Sequence, residues 1–238
     1  TTNYFPGGFA QYIRVPWINV EHGVYRLPAD MTYEEGTFIE PVACTIRGQR
    51  LAAIQKDDTL LIVGSGVAGL LHVQLAKLAG VHRIVATDIN PNRLRLSAKF
   101  GAHHTINARN NVPQQLKELN DGRLADQVIV CTGAAQAALT VLECVDKGGT
   151  ILFFAVPDPT VMLPVPITAF WRNEVTLKTS YGAAPRDLEE ALSVLSQKRL
   201  NIKEMITHRL DIKQAAEGFR LMAEAGESLK IIIEPNRD

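Results

Sequence analysis

The chain has 238 residues, 46% of them hydrophobic, which suffices for one large domain or two smaller ones with a buried core. Twenty-five basic residues balance twenty-five acidic ones and no run of five like charges occurs, which excludes a field that draws nucleic acid or an anionic membrane surface. Small molecules or further copies of the chain are the expected partners.

Three cysteines, Cys44, Cys131 and Cys144, are too few and too scattered for a disulfide framework, so a reducing, cytoplasmic setting is expected. No apolar stretch approaches the roughly 18 to 20 residues of a membrane span, and the start carries no signal-peptide pattern. The opening "TTNYFPGGFA" reads as strand and turn from the middle of a domain, so the chain is expected to be the back part of a longer polypeptide.

The first chemically loaded stretch is "TFIEPVACTIRG", Thr37 to Gly48. It sets Glu40 and Cys44 one helical turn apart in an apolar run, and leaves Glu40 open as metal ligand, general base or helix-start residue. From Thr59 to Val156 short apolar runs alternate with amphipathic stretches, the signature of βαβ units on a parallel sheet. "TLLIVG" (59 to 64) reads as a buried strand, and "VAGLLHVQLAKLAG" (67 to 80) as a helix closed by Gly80. "RIVATD" (83 to 88) is the second strand, followed by a helix capped by Asn90 with Pro91 first. "DQVIVCTG" (126 to 133) and "TILFFAVP" (150 to 157) read as a third and fourth strand around a helix over Ala134 to Val145 and a turn at "KGG".

Pro157, Pro159, Pro164 and Pro166 exclude a long helix in the next segment, which a strand at "EVTLKTS" closes. A helix from Pro185 to about Gln197, a strand at "THRL", a helix from Ile212 to about Ala225 and a strand "LKIIIEP" complete the chain. Of the six histidines none forms a metal pair: His103 and His104 point to opposite faces of an extended segment, and His72 sits inside a helix where packing is the expected role.

"GSGVAG", Gly64 to Gly69, is a G-x-G-x-x-G that follows a buried strand, opens a helix and precedes Asp88 at the tip of the next strand. Gly64 permits the tight turn, Gly66 a close approach of backbone to pyrophosphate, and Gly69 close packing of helix on strand. The N–H groups of Val67 and Ala68 then face the phosphates at the positive end of the helix dipole. Asp88 is placed to accept from a ribose diol and to repel a 2′-phosphate, which predicts NAD over NADP, while Arg93 five residues on is a cation that accommodates such a phosphate. Cys131, Thr132 and Gly133 end the third strand where the ligand crevice of such sheets forms; a plain strand-to-helix turn explains them as well.

"GGFAQYIRVP", "EPVACTIRG", "GSGVAGLLHVQLAKLAG", "TDINPNRLRLSAKFGA", "CTGAAQAAL" and "THRLDIKQAAEGFRLM" together resemble the zinc-dependent alcohol dehydrogenases of the medium-chain dehydrogenase/reductase family, in particular the sorbitol and threonine dehydrogenase branch. The resemblance runs over essentially the whole chain. It implies an α/β fold, a doubly wound parallel Rossmann sheet inserted into a partial, β-rich GroES-like catalytic domain. Residues 1–46 and 183–238 then belong to the catalytic domain and 47–182 to the NAD-binding domain, with the front of the catalytic domain absent.

The resemblance further implies hydride transfer between a secondary alcohol or polyol and NAD, with zinc as Lewis acid, in a homodimer or homotetramer. Glu40 matches a family glutamate that ligates zinc or holds its water, the remaining ligands lying upstream. Cys44 falls where the family lines the nicotinamide pocket. Phe154, Ser180 and Gly182 match positions whose backbone holds the nicotinamide carboxamide, and Lys230 matches a basic residue that reaches the pyrophosphate. Ala155 stands where many relatives have glycine, and the polyol-contacting arginine of sorbitol dehydrogenases is missing near Tyr181 and Gly182, which argues against a simple sorbitol assignment. A zinc-free enone or quinone reductase of the same superfamily and a non-catalytic dinucleotide-binding module are the competing readings.

Overall fold

A computed structural model describes residues 7–236; the first six residues, expected in strand and turn, lie outside that range. In chain order the elements are α1 (Trp17–Gly23), α2 (Tyr33–Gly36), α3 (Ile39–Ala52), β1 (Thr59–Val63), α4 (Val67–Ala79), β2 (Arg83–Asp88), α5 (Pro91–Phe100), β3 (His104–Asn107), α6 (Val112–Leu119), β4 (Ala125–Val130), α7 (Ala135–Thr140), β5 (Val145–Phe153), α8 (Ile167–Arg172), β6 (Thr176–Thr179), α9 (Pro185–Ser196), β7 (Ile206–Asp211), α10 (Ala215–Glu224) and β8 (Lys230–Glu234). Contacts divide the described residues into two units, one formed by Glu40–Ala183 and the other by the residues up to Ile39 together with those from Ala184 onward.

The Glu40–Ala183 unit is built on a six-stranded sheet in the order β3-β2-β1-β4-β5-β6, with every pairing parallel. The alternating pattern led to the expectation of parallel βαβ units, and the family resemblance implied this Rossmann arrangement. Strand order reverses between β1 and β4, and a crevice for ligands opens at the carboxyl ends of strands at such a reversal. All five residues of β1, Thr-Leu-Leu-Ile-Val, are buried, as a central parallel strand covered on both faces requires. Burial of each of Leu60, Leu61 and Ile62 contributes about 1.5–3 kcal/mol. Helix ends follow local chemistry: α4 stops at Gly80 with φ 76°, and the Asn90 side chain accepts the Asn92 N–H to start α5 with Pro91 in its first turn.

Two local expectations are corrected, and three elements appear, β3, α6 and α8, that no expectation covered. β3 and α6 lie in a stretch the pattern left unassigned: β3 has only four residues at the sheet edge, and Asn111 and Pro113 are the N-cap and second helical residue of α6. Helix α7 stops at Thr140 and continues as a 3-10 turn, Val141–Glu143, short of the expected Val145. The "KGG" segment belongs to β5, which starts at Val145; a Cβ on Gly149 would lie 2.8 Å from the Asp126 carbonyl oxygen, so glycine serves close strand approach there. The proline-rich segment holds one short helix, α8, of six residues directly after Pro166, which agrees with the exclusion of a long helix there.

In the other unit β7 and β8 pair in parallel, and a Phe9–Phe219 ring contact has centroids 5.2 Å apart. Its best-defined polar feature is a reciprocal cap on α2: the Thr32 hydroxyl accepts the Glu35 N–H at 3.2 Å, and the Glu35 carboxylate accepts the Thr32 N–H at 2.8 Å. Glu35 is only 4% exposed and also receives the Lys198 ammonium at 3.0 Å. These partners lower the Glu35 carboxyl from 4.5 to about 2, the Thr32 backbone N–H first and Lys198 next. Because folding lowers this pKa, the stabilisation is complete above pH 4.5 and is lost as the pH falls toward about 2. Glu35→Gln is therefore expected to cost on the order of 1–3 kcal/mol at neutral pH. In urea unfolding its deficit against wild type shrinks across that acid window.

Candidate functional site

The glycine turn between β1 and α4 is held at contact distance on two sides. Gly64 has φ +95°, and a Cβ there would lie 3.0 Å from the Thr132 Cβ and 3.2 Å from the Cys131 carbonyl. A Cβ on Gly69 would lie 1.9 Å from the Gly64 carbonyl oxygen, a distance no side chain tolerates. Gly66 differs: a Cβ there meets nothing within 4 Å, so the space above it is open. That openness at the helix start, beside the first-turn N–H groups of Val67 and Ala68, fits the pyrophosphate of a dinucleotide.

Asp88 closes the turn from β2. It is 8% exposed, its Oδ2 accepts the Ser65 N–H at 2.8 Å and its Oδ1 accepts the Asn90 N–H at 2.8 Å. Each carboxylate oxygen keeps a further acceptor position for a ribose hydroxyl. Arg93 is half-buried in the first turn of α5. Cys131 continues β4 by donating its N–H to Val63 O at 2.7 Å, Thr132 Oγ1 accepts the Ala134 N–H at 3.3 Å, and a Cβ on Gly133 would press on the Val156 carbonyl at 3.2 Å.

A cavity of about 470 Å³ next to this turn is lined by Glu40, Pro41, Cys44, Val67, Ala68, Phe154, Ser180, Tyr181 and Gly182. Seven of these nine are residues singled out from the sequence, drawn from four separate stretches of chain. Pro41 and Tyr181 were not singled out; Tyr181 is 99% exposed and carries no motif. The Phe154 N–H already binds Val130 O at 3.1 Å and the Ser180 N–H binds Phe153 O at 3.1 Å, so these residues offer a carboxamide their carbonyl oxygens rather than their N–H groups. The Ser180 hydroxyl oxygen is buried without a partner among the described residues, an unmet polar group in a residue that lines the cavity.

Glu40 is exposed on the first turn of α3, where the Cys44 thiol donates to its Oε1 at 3.1 Å. Among the described residues no group of three His, Cys, Asp or Glu side chains converges to hold a metal ion. Glu40 and Cys44 supply two donors where a catalytic zinc needs three protein ligands, so the described residues do not by themselves fit zinc. Behind the cavity, His72 is fully buried; burial lowers its pKa to about 3 and keeps it neutral, packed edge-on to Phe154 with ring centroids 4.8 Å apart. That packing role matches the sequence reading. Lys230 lies in the other unit, with its ammonium donating to Thr37 O at 3.1 Å and standing 5.1 Å from the centre of the Phe38 ring.

Residues 67–197, over half of the chain, match the family described as zinc-binding dehydrogenase. The chain belongs to that zinc-binding dehydrogenase family. It is 31% identical to the sorbitol dehydrogenase of Mus musculus over 217 residues, which are 89% of this chain and 60% of that protein. It is 28% identical to the D-xylulose reductase of Saccharomyces cerevisiae over 236 residues, 97% of this chain and 65% of that protein. The chain thus spans between 60% and 65% of the length of these curated relatives. An alcohol dehydrogenase from Thermotoga maritima superposes with a TM-score of 0.82 at 24% identity, covering 89% of this chain and 60% of that one, and so shares the fold.

For a zinc-binding dehydrogenase domain with this loop, the glycines separate by experiment. Gly69→Ala forces a Cβ into the Gly64 carbonyl and is expected to cost about 1–3 kcal/mol or more in denaturant unfolding. Gly66 has φ −71°, which alanine adopts freely, so Gly66→Ala is expected to keep its stability within about 0.5 kcal/mol. Its dinucleotide affinity is expected to fall about tenfold or more in a calorimetric titration, a loss of about 1.4 kcal/mol.

Proposed function

We propose that this chain is the cofactor-binding portion of an NAD-dependent alcohol or polyol dehydrogenase that moves a hydride between a secondary alcohol and NAD. One observation carries the reading: the turn that Asp88 holds through Ser65 leaves open space over Gly66, and the next two residues, Val67 and Ala68, line a cavity with Glu40, Cys44, Phe154, Ser180 and Gly182. A dinucleotide laid along the carboxyl edge of the sheet has its adenosine ribose at Asp88, its phosphates over Gly66 to Ala68 and its nicotinamide in the cavity. When bound, the nicotinamide supplies the hydride acceptor or donor.

The chain's own residues bind and orient. Helix α4 directs its first-turn N–H groups at the phosphates, and Phe154, Ser180 and Gly182 position the carboxamide face. Among the described residues Glu40 is the one carboxylate that lines the cavity, and it serves either as an acceptor for a substrate hydroxyl or as one donor of a zinc site whose other donors lie outside the described residues. The alcohol and polyol class rests on the sorbitol dehydrogenase and D-xylulose reductase relatives. The setting read from cysteine usage is cytoplasmic. An oligomer is part of the proposal, because β6 ends the sheet and Leu177, Trp171 and Ile167 beside it are 40%, 78% and 71% exposed, a face suited to a second copy.

The negative charge of Asp88 disfavours a 2′-phosphate, so NADH is expected to bind about tenfold or more tighter than NADPH, a difference of about 1.4 kcal/mol, in a fluorescence titration. Purified protein carrying this chain, supplied with zinc, is expected to reduce NAD with at least one secondary alcohol or polyol from a panel. Equal affinity for the two cofactors would remove Asp88 from the ribose site. No NAD reduction with any alcohol would reject the dehydrogenase reading.

A further inference from the structure

We infer that Asp88 is a positioning residue for the phosphate loop itself, acting through the backbone of Ser65 and independently of any ribose. The inference deepens the dinucleotide reading and rests on it. Three hydrogen bonds tie the loop to the end of β2: Gly64 N–H to Thr87 O at 2.9 Å, Ser65 Oγ to Thr87 O at 3.2 Å, and Ser65 N–H to Asp88 Oδ2 at 2.8 Å. Of these only the last is charge-assisted, and it lies between two residues that are 0% and 8% exposed, where such a bond is strongest. The other oxygen of the same carboxylate takes the Asn90 N–H at 2.8 Å, so Asp88 cannot swing away without giving up both bonds, one of them to the buried Ser65 N–H.

Ser65 is the residue immediately before Gly66, whose carbonyl oxygen accepts the Leu70 N–H at 2.9 Å as the first bond of α4. Fixing Ser65 therefore fixes where the helix begins and where the N–H groups of Val67 and Ala68 point. No other described residue hydrogen-bonds the Ser65 N–H, whereas the ribose contact needs only the spare acceptor positions of the carboxylate.

The positioning role and a purely ribose-binding role predict opposite signs for an anion without a ribose. Removing a carboxylate beside an anion site strengthens anion binding if charge is all that matters. If Asp88 holds the loop, its removal weakens anion binding despite the lost repulsion. Asparagine is the graded case, since its one carbonyl oxygen satisfies one N–H while its amide N–H₂ faces the other.

The test uses the full 238-residue chain as wild type, Asp88→Asn and Asp88→Ala, with inorganic pyrophosphate and NADH as probes and backbone amide exchange of Ser65 as a ligand-free readout. In Asp88→Ala the Ser65 amide is expected to exchange about tenfold or more faster, with Val85 and Ile129 still protected as evidence of an intact sheet. Pyrophosphate affinity is expected to fall about threefold to tenfold, with Asp88→Asn between the two. Pyrophosphate binding that is unchanged or tighter in Asp88→Ala, with Ser65 still protected, overturns the inference. Failure of wild type to bind either probe rejects the dinucleotide reading instead, and the Ser65 exchange rates separate the two failures. If Asp88→Ala does not fold, Asp88→Asn carries the same two opposed outcomes.

Discussion

The contact between Gly69 and the Gly64 carbonyl is the constraint from which the rest of this site follows. With no Cβ on Gly69, helix α4 starts directly against the end of β1, at a separation where even one methyl group would overlap the carbonyl oxygen. A helix brought that close delivers its unpaired first-turn N–H groups to the carboxyl edge of the sheet at the point where strand order reverses. Positive φ at Gly64 and the contacts of Thr132 and Cys131 then leave the turn one direction in which to run. The cavity that Val67 and Ala68 share with Glu40 and Phe154 exists because the helix start is fixed in this place.

Around this frame, charge and burial are distributed unequally. Asp88 is nearly solvent-free and satisfied by two backbone donors, so its position is set by structure rather than by solvent. Glu40 is exposed and linked to the weak thiol donor of Cys44, so it keeps freedom to meet a ligand or further donors. His72 is buried and neutral, which makes it a wall behind Phe154 rather than a participant. The same separation holds for Cys144, fully buried, whose thiol is raised to about 12 by desolvation and then by Glu143, and which is thereby silent as a nucleophile.

Much of the fold was legible because its signals were local. The buried runs of β1, β2, β4 and β5, the Gly80 and Asn90 caps and the glycine turn each follow from a handful of adjacent residues. β3 was not legible, since a four-residue edge strand whose one apolar residue is Ile106 has no hydrophobic pattern to read. Helix α6 was hidden by Asn111 and Pro113, residues equally at home in a turn or a helix start. In the site, the residue types were legible but not their partners: that Asp88 binds Ser65, that Phe154 and Ser180 have spent their N–H groups, and that Tyr181 joins the cavity are facts of tertiary geometry. Zinc was the opposite case, a family expectation for which the described residues hold two donors and no third.

The central claim is that the glycine turn, the Asp88 carboxylate and the Glu40 cavity form one dinucleotide site within the Glu40–Ala183 unit. Backbone amide chemical-shift mapping of the chain on titration with NADH tests it most directly. The account predicts saturable shifts concentrated at residues 64–69, 88–93, 131–133, 154 and 180–182. Saturable shifts confined to other residues, or none at any NADH concentration, would contradict it.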